Sequence, residues 1–132
     1  MTAIFADTAF YLALLNADDE LHARAMAVAA TLGASMVTTT WILTEVLDAC
    51  SRPGFRIVAT HFVAALKVDP QVTIVPASDA LFDRGFDLFK HRPDKDWSLT
   101  DCISFVVMEE HGVRESLTAD HHFEQAGFRV LL

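Results

Sequence analysis

Cysteine is scarce in this 132-residue chain: Cys50 and Cys102 are the only two. They form no spaced framework, so neither a disulfide scaffold nor a structural zinc module is indicated, and reduced thiols in a cytoplasmic protein are expected. No apolar run reaches the roughly 18 residues that a membrane span needs. The opening "MTAIFADTAF" has no basic segment ahead of its apolar residues, which argues against a signal peptide. Gly/Ser linkers, low-complexity blocks and repeats are missing as well, and one domain over residues 1–132 is expected. Positive charge is thin and scattered. Ten Lys and Arg stand against 18 Asp and Glu, for a formal net charge of −8. Such a chain does not grip nucleic acid by charge alone. It remains compatible with an enzyme that meets phosphate through bound cations, because the ions bring their own charge.

What the chain has is apolar bulk. Hydrophobic residues make up 52%, with 10 Phe and 2 Trp, enough for a packed core. Short apolar stretches alternate with helical patterns. Strands are expected at 2–6, 35–39, 72–75, 115–119 and 128–132. Helices are expected over "AFYLALLN", over "DDELHARAMAVAATLG", over "TWILTEVLDAC", from about Phe55 to Val68, and after Ser78 along the stripe Leu81, Phe82, Gly85, Leu88 and Phe89. "KHRPDKD" (90–96) reads as a charged loop and "DHHFEQAG" as a short helix. The segment "CISFVV" is β-branched enough for a strand, but Ser98 and Asp101 have the spacing of a capping box, which favours a helix. Strands joined through helices pair in parallel, so the expected fold is α/β, a three-layer α/β/α sandwich around a central parallel sheet.

In such a sheet functional groups gather beyond the carboxyl ends of the strands. Asp7 follows the first strand and Asp120 the fourth, while Asp101 lies in the first turn of a helix. Clustered carboxylates repel and raise one another's pKa unless a cation neutralises them. Oxygen ligands suit Mg²⁺ or Mn²⁺. No Cys/His spacing suggests zinc, since His121 and His122 are adjacent and have no partner motif. Each acid, taken alone, also reads as an ordinary helix cap. Glu45 shares a helix flank with Trp41 and Asp48 and, on pattern, reads as a surface acid.

Four segments in order, "FADTAFYLALLN", "TTTWILTEVLDA", "DWSLTDCISFVVM" and "LTADHHFEQAGFRVL", resemble the PIN-domain family, in particular its small VapC-like toxins. The resemblance spans nearly the whole chain. It implies the same sandwich fold and an acidic site that binds Mg²⁺ or Mn²⁺, activates water and cleaves RNA to leave 5′-phosphate and 3′-hydroxyl ends. The matching positions are Asp7, Glu45, Asp101 and Asp120, both as metal ligands and as catalytic groups. Asp96, near Asp101, could substitute for one of these acids or assist them, with a solvated loop acid as the plainer reading. The resemblance also implies a homodimer and an antitoxin protein that silences the site.

Other residues take secondary parts. Thr8, Ser98 and Thr118 flank the acids, and their hydroxyls could orient carboxylates or water, or serve only as helix-end and strand-end chemistry. Arg52, Arg56, Lys90, Arg92 and Lys95, with His91 more weakly, are the nearest candidates for RNA phosphate contacts. Trp41 and Trp97 could stack a base, although packing suits both better. A receiver-type domain would want paired acids after the first strand, where Asp7 stands alone. A haloacid-dehalogenase-type phosphatase would want Asp-x-Asp, where Ala9 occupies the second position. A binding module without catalysis is opposed by four acids that would only repel.

Overall fold

The computed structural model describes residues 2–132. Five strands form one parallel sheet: β1 (Ile4–Ala6), β2 (Met36–Thr39), β3 (Val72–Val75), β4 (Glu115–Leu117) and β5 (Arg129–Val130). Their order across the sheet is β3-β2-β1-β4-β5. Every pairing is parallel, with Phe5 opposite Val37 on one side and Ser116 on the other. The helices are α1 (Thr8–Leu15), α2 (His22–Thr31), α3 (Thr40–Ala49), α4 (Pro53–Val68), α5 (Asp79–His91), α6 (Leu99–Glu110) and α7 (His121–Gln125). Right-handed crossovers put α1–α4 on one face and α5–α7 on the other. The packing agrees, since α1 meets α2 and α3, α3 meets α4, and α6 meets α5 and α7. The α/β sandwich expected from the sequence is the fold observed.

The central strand β1 is buried along its length, as a parallel strand covered on both faces must be. Phe5 packs against Phe123 of α7, while Phe10 and Tyr11 of α1 fill the opposite layer. Helix α6 is the most enclosed helix. Cys102, Ile103, Ser104, Phe105, Val107 and Met108 are all buried. Gly85 lets α5 press against it, because a Cβ there would stand 2.3 Å from Ile103 Cγ1. The end of α6 is a Schellman turn: Val113 N–H donates to the Met108 carbonyl and Gly112, at φ +65°, donates to that of Glu109.

Several boundaries move. Helix α2 starts at His22, not at the acids before it. Asn16 Oδ1 accepts the Asp18 amide and Asp19 Oδ1 accepts that of Leu21, so side chains capture these N–H groups into turns. The strand expected at 2–6 keeps only its last three residues, that at 115–119 only its first three, and that at 128–132 only Arg129 and Val130. Helix α5 runs on through His91, which places Lys90 and His91 in its last turn instead of in a loop. The segment Cys102–Met108 is helical, and Ser98 forms the expected capping box with Asp101.

Candidate metal centre

The strand order reverses between β1 and β4, and the acids collect above that switch point. Asp7 leaves β1 as the N-cap of α1, with its side chain making no cap hydrogen bond. Its carboxylate is turned inward, only 7% exposed. Thr118, at the end of β4 and wholly buried, donates its hydroxyl to Asp7 Oδ2 at 2.8 Å and accepts the Asp120 amide at 3.1 Å. Both capacities of one hydroxyl are thereby used to couple the first and fourth strand ends. Thr8 makes a parallel link on the other flank, donating to Glu45 Oε1 at 2.5 Å. Ser98 N–H donates to Asp101 Oδ2 at 3.2 Å and Asp101 N–H to Ser98 Oγ at 3.0 Å, which fixes Asp101 at the start of α6.

The three hydroxyl residues therefore each hold one acid: Thr118 holds Asp7, Thr8 holds Glu45 and Ser98 holds Asp101. Asp101 and Asp120 lie close enough to Asp7 to raise its pKa by repulsion. Glu45 stands at the exposed margin, joined to the group through Thr8. Asp96 is exposed and, among the described residues, takes no hydrogen bond from the cluster.

The tightest set of ligating atoms, all within 4.8 Å of one another, belongs to Asp120, His121 and His122. The two histidines thus do have a partner, in Asp120 and across the fold. His122 Nδ1 lies 3.2 Å from Asp101 Oδ2 and 3.4 Å from Asp120 Oδ1, and its backbone N–H donates to Asp120 Oδ1 at 2.9 Å. The sequence signal was a histidine two residues after a helix-capping aspartate. Its meaning depended on α6 and α7 being brought together, which adjacency in sequence does not reveal.

Burial pushes the Asp7 carboxyl up from 3.8 to about 7, against the Thr118 hydroxyl and the Thr8 amide, which favour the ionised form. Among the described residues no lysine or arginine pairs with Asp7, Glu45, Asp101 or Asp120. A buried carboxylate with two acidic neighbours and no basic partner is costly as it stands. The donor set fits a divalent cation: carboxylate oxygens from four elements.

The expected RNA contacts separate into two groups. Arg92 forks onto Asp94 at 3.0 and 3.1 Å, Lys95 lies 3.8 Å from the same carboxylate, and Lys90 pairs with Asp87 at 3.3 Å. The Arg92 guanidinium in turn holds the Asp94 carboxyl below the usual carboxylate range. His91 Nδ1 lies 2.6 Å from the Asp87 carbonyl of its own helix. Arg52 and Arg56, at the start of α4, are exposed and have no acidic partner among the described residues, although Arg56 Nε donates to the Ser51 carbonyl. Trp97 is buried, donates to Gln125 Oε1 at 3.0 Å and packs edge-on against Phe105, which rules it out as an open stacking platform.

The chain is 29% identical over 126 residues to the 23S rRNA-specific endonuclease VapC20 of Mycobacterium tuberculosis, covering 95% of both chains. The crystal structure of that protein, described as a Sarcin-Ricin loop cleaving toxin, superposes with a TM-score of 0.86 at 26% identity over 95% of each chain. FitAcB of Neisseria gonorrhoeae (TM-score 0.70, 16% identity, 98% and 96% covered) and a toxin-antitoxin complex of Klebsiella pneumoniae (0.69, 14%, 98% and 96%) share the fold. The PIN domain model matches residues 4–129, and the chain belongs to the PIN domain family.

Proposed function

We propose that the chain is a metal-dependent endoribonuclease, the toxin of a toxin–antitoxin pair, with Asp7, Glu45, Asp101 and Asp120 as its catalytic carboxylates. The observation that carries the reading is the buried Asp7 carboxylate, tied to Asp120 through Thr118 and left without a basic partner beside two further acids. Its nuclease character also rests on the similarity to VapC20 over nearly the whole chain. By the same similarity the proposed substrate is ribosomal RNA of the kind that toxin is named for.

Asp7, Asp101 and Asp120 would hold Mg²⁺ or Mn²⁺ from the sheet edge, with Glu45 completing the set from α3. When bound, such an ion supplies water activation and stabilises charge on the phosphate. The chain's part is to present the carboxylates ready aimed. Thr118 orients Asp7, Thr8 orients Glu45, and the Ser98 cap orients Asp101, so that little reorganisation is left for the moment of reaction. Arg52 and Arg56 are favoured over Lys90, Arg92 and Lys95 as phosphate contacts, because the latter are already neutralised by Asp87 and Asp94. Arg52 caps the start of α4, just beyond the end of the α3 helix that carries Glu45. An antitoxin lying over the site is part of the proposal, supported by the fold shared with a toxin–antitoxin complex, and so is a homodimer, on the family resemblance. Action in the cytoplasm follows from the proposed substrate, and among the described residues no helix is long and apolar enough to cross a membrane.

The test is cleavage of ribosomal RNA by the purified protein with and without Mn²⁺, beside Asp101→Asn. Metal-dependent cleavage lost in the variant is expected. Equal, metal-independent cleavage by both would expose a contaminant. No cleavage by either, with no effect of Mn²⁺ on melting, would favour a binding module.

A further inference from the structure

His122 is wedged among the acids, whereas His121, 71% exposed, meets only Asp120 from outside at 3.8 Å. The His122 side chain is 19% exposed, and that of Asp101 is 15% exposed. Nδ1 faces two carboxylate oxygens, Asp101 Oδ2 at 3.2 Å and Asp120 Oδ1 at 3.4 Å. Ionised carboxylates only accept hydrogen bonds, so Nδ1 serves as the donor to Asp101 Oδ2, with Asp120 Oδ1 facing the same nitrogen. The ring is not free to leave. Its backbone amide is bonded to Asp120 Oδ1, it follows the α7 cap by two residues, and its neighbour Phe123 is wholly buried against Phe5 and Phe105.

The choice of oxygens gives the contact its meaning. Asp101 uses Oδ2 both for the Ser98 amide and for His122. Asp120 uses Oδ1 for the His122 amide and faces both histidine rings with that same atom. Glu45 uses Oε1 for Thr8. On each of these three acids one oxygen is engaged by the chain and the other takes no protein hydrogen bond among the described residues. An acid held by one oxygen is fixed in orientation while its second oxygen stays open to a ligand.

The geometry points to His122 as a positioning residue of the metal centre: its Nδ1–H holds the Asp101 carboxylate and its backbone N–H that of Asp120, so that the free oxygens of two acids at the starts of α6 and α7 converge on one ion. This rests on the metal-dependent reading above and adds to it a residue that touches neither the ion nor the RNA. A clamp that works through Nδ1 makes a specific demand. Asparagine can place an N–H near the position of Nδ1, whereas leucine fills similar space without a donor.

The experiment measures Mn²⁺ affinity, by calorimetry and by the Mn²⁺-induced melting shift, for the parent, His122→Leu and His122→Asn, with circular dichroism to confirm folding. His122→Leu should bind Mn²⁺ about 10- to 100-fold more weakly, the loss typical of removing a group that orients a metal ligand. His122→Asn should restore most of that loss. Unchanged affinity in His122→Leu would overturn the clamp. So would an Asn variant as weak as the Leu variant, which would indicate a direct nitrogen ligand or simple packing. A double-mutant cycle on metal-free melting, His122→Leu with and without Asp101→Asn, separates this inference from the reading beneath it. If no form binds Mn²⁺, the metal-centre reading fails, and the cycle still decides the clamp: coupling between the two positions supports it and additivity overturns it.

Discussion

Asp7 and Glu45, two acids of the proposed metal centre, are held in the same way, by a threonine hydroxyl at 2.8 and 2.5 Å respectively. They differ in what surrounds them. Asp7 is turned into the protein at the end of the central strand, where burial pushes its carboxyl up to about 7. Glu45 lies exposed on α3 and is solvated. The contrast separates two ways of placing a ligand. A buried acid strains the metal-free fold, whereas a surface acid costs the fold little. Function should therefore respond alike to the two positions, and stability should not.

Activity comes first, as the largest effect. Asp7→Asn and Glu45→Gln should each lower the Mn²⁺-dependent cleavage rate at least about 100-fold, more than the loss of an orienting neighbour. If Glu45→Gln retained full rate, Glu45 would not belong to the centre. The two then diverge on folding. Asp7 has a folded-state pKa of about 7 against 3.8 ordinarily, so the folded metal-free protein binds a proton that the unfolded chain has released. Its contribution to stability is fully present below about pH 4 and is lost as pH rises through 7, by on the order of 4 kcal/mol. Asp7→Asn removes that penalty while still accepting from Thr118. At pH 8 without metal it should melt several degrees higher than the parent, and at pH 4 the difference should vanish.

A smaller effect sharpens the buried half. Thr118→Val deletes the donor to Asp7 and the acceptor for the Asp120 amide, and should destabilise by about 1–3 kcal/mol, the cost of leaving buried partners unsatisfied. It should also move Mn²⁺ binding to higher pH, because the Asp7 carboxylate loses the hydroxyl that favours its ionised form. Thr118→Ser should restore both. Smallest is the stability change in Glu45→Gln, within about 0.5 kcal/mol by denaturant titration, as for an exposed position.

The same division decides what could be read in the sequence. Asp101 and its cap are legible because the partners lie three residues apart and Ser-x-x-Asp is a local pattern. The alternation of short apolar strands with helices sufficed for the parallel sandwich. The links that build the centre are not local: Thr118 and Asp7 are 111 residues apart and Thr8 and Glu45 are 37 apart. His122 matters only once α6 lies beside α7. The start of α2 was obscured by Asn16 and Asp19, whose side chains compete for the amides that a helix would use. The pairing of Arg92 and Lys95 went unread, although Asp94, which meets both, lies within two residues of each.

The most direct test of the central claim, that the buried Asp7 is a ligand whose cost a divalent ion relieves, is the melting temperature of parent and Asp7→Asn with and without Mn²⁺ at pH 6 and pH 8. The account predicts that Mn²⁺ stabilises the parent by mass action, more at pH 8 than at pH 6, where the ion must displace a proton. Asp7→Asn, already the more stable form at pH 8 without metal, should gain little at either pH. A parent indifferent to Mn²⁺ at both pH values, or an Asn variant that responds as the parent does, would contradict it.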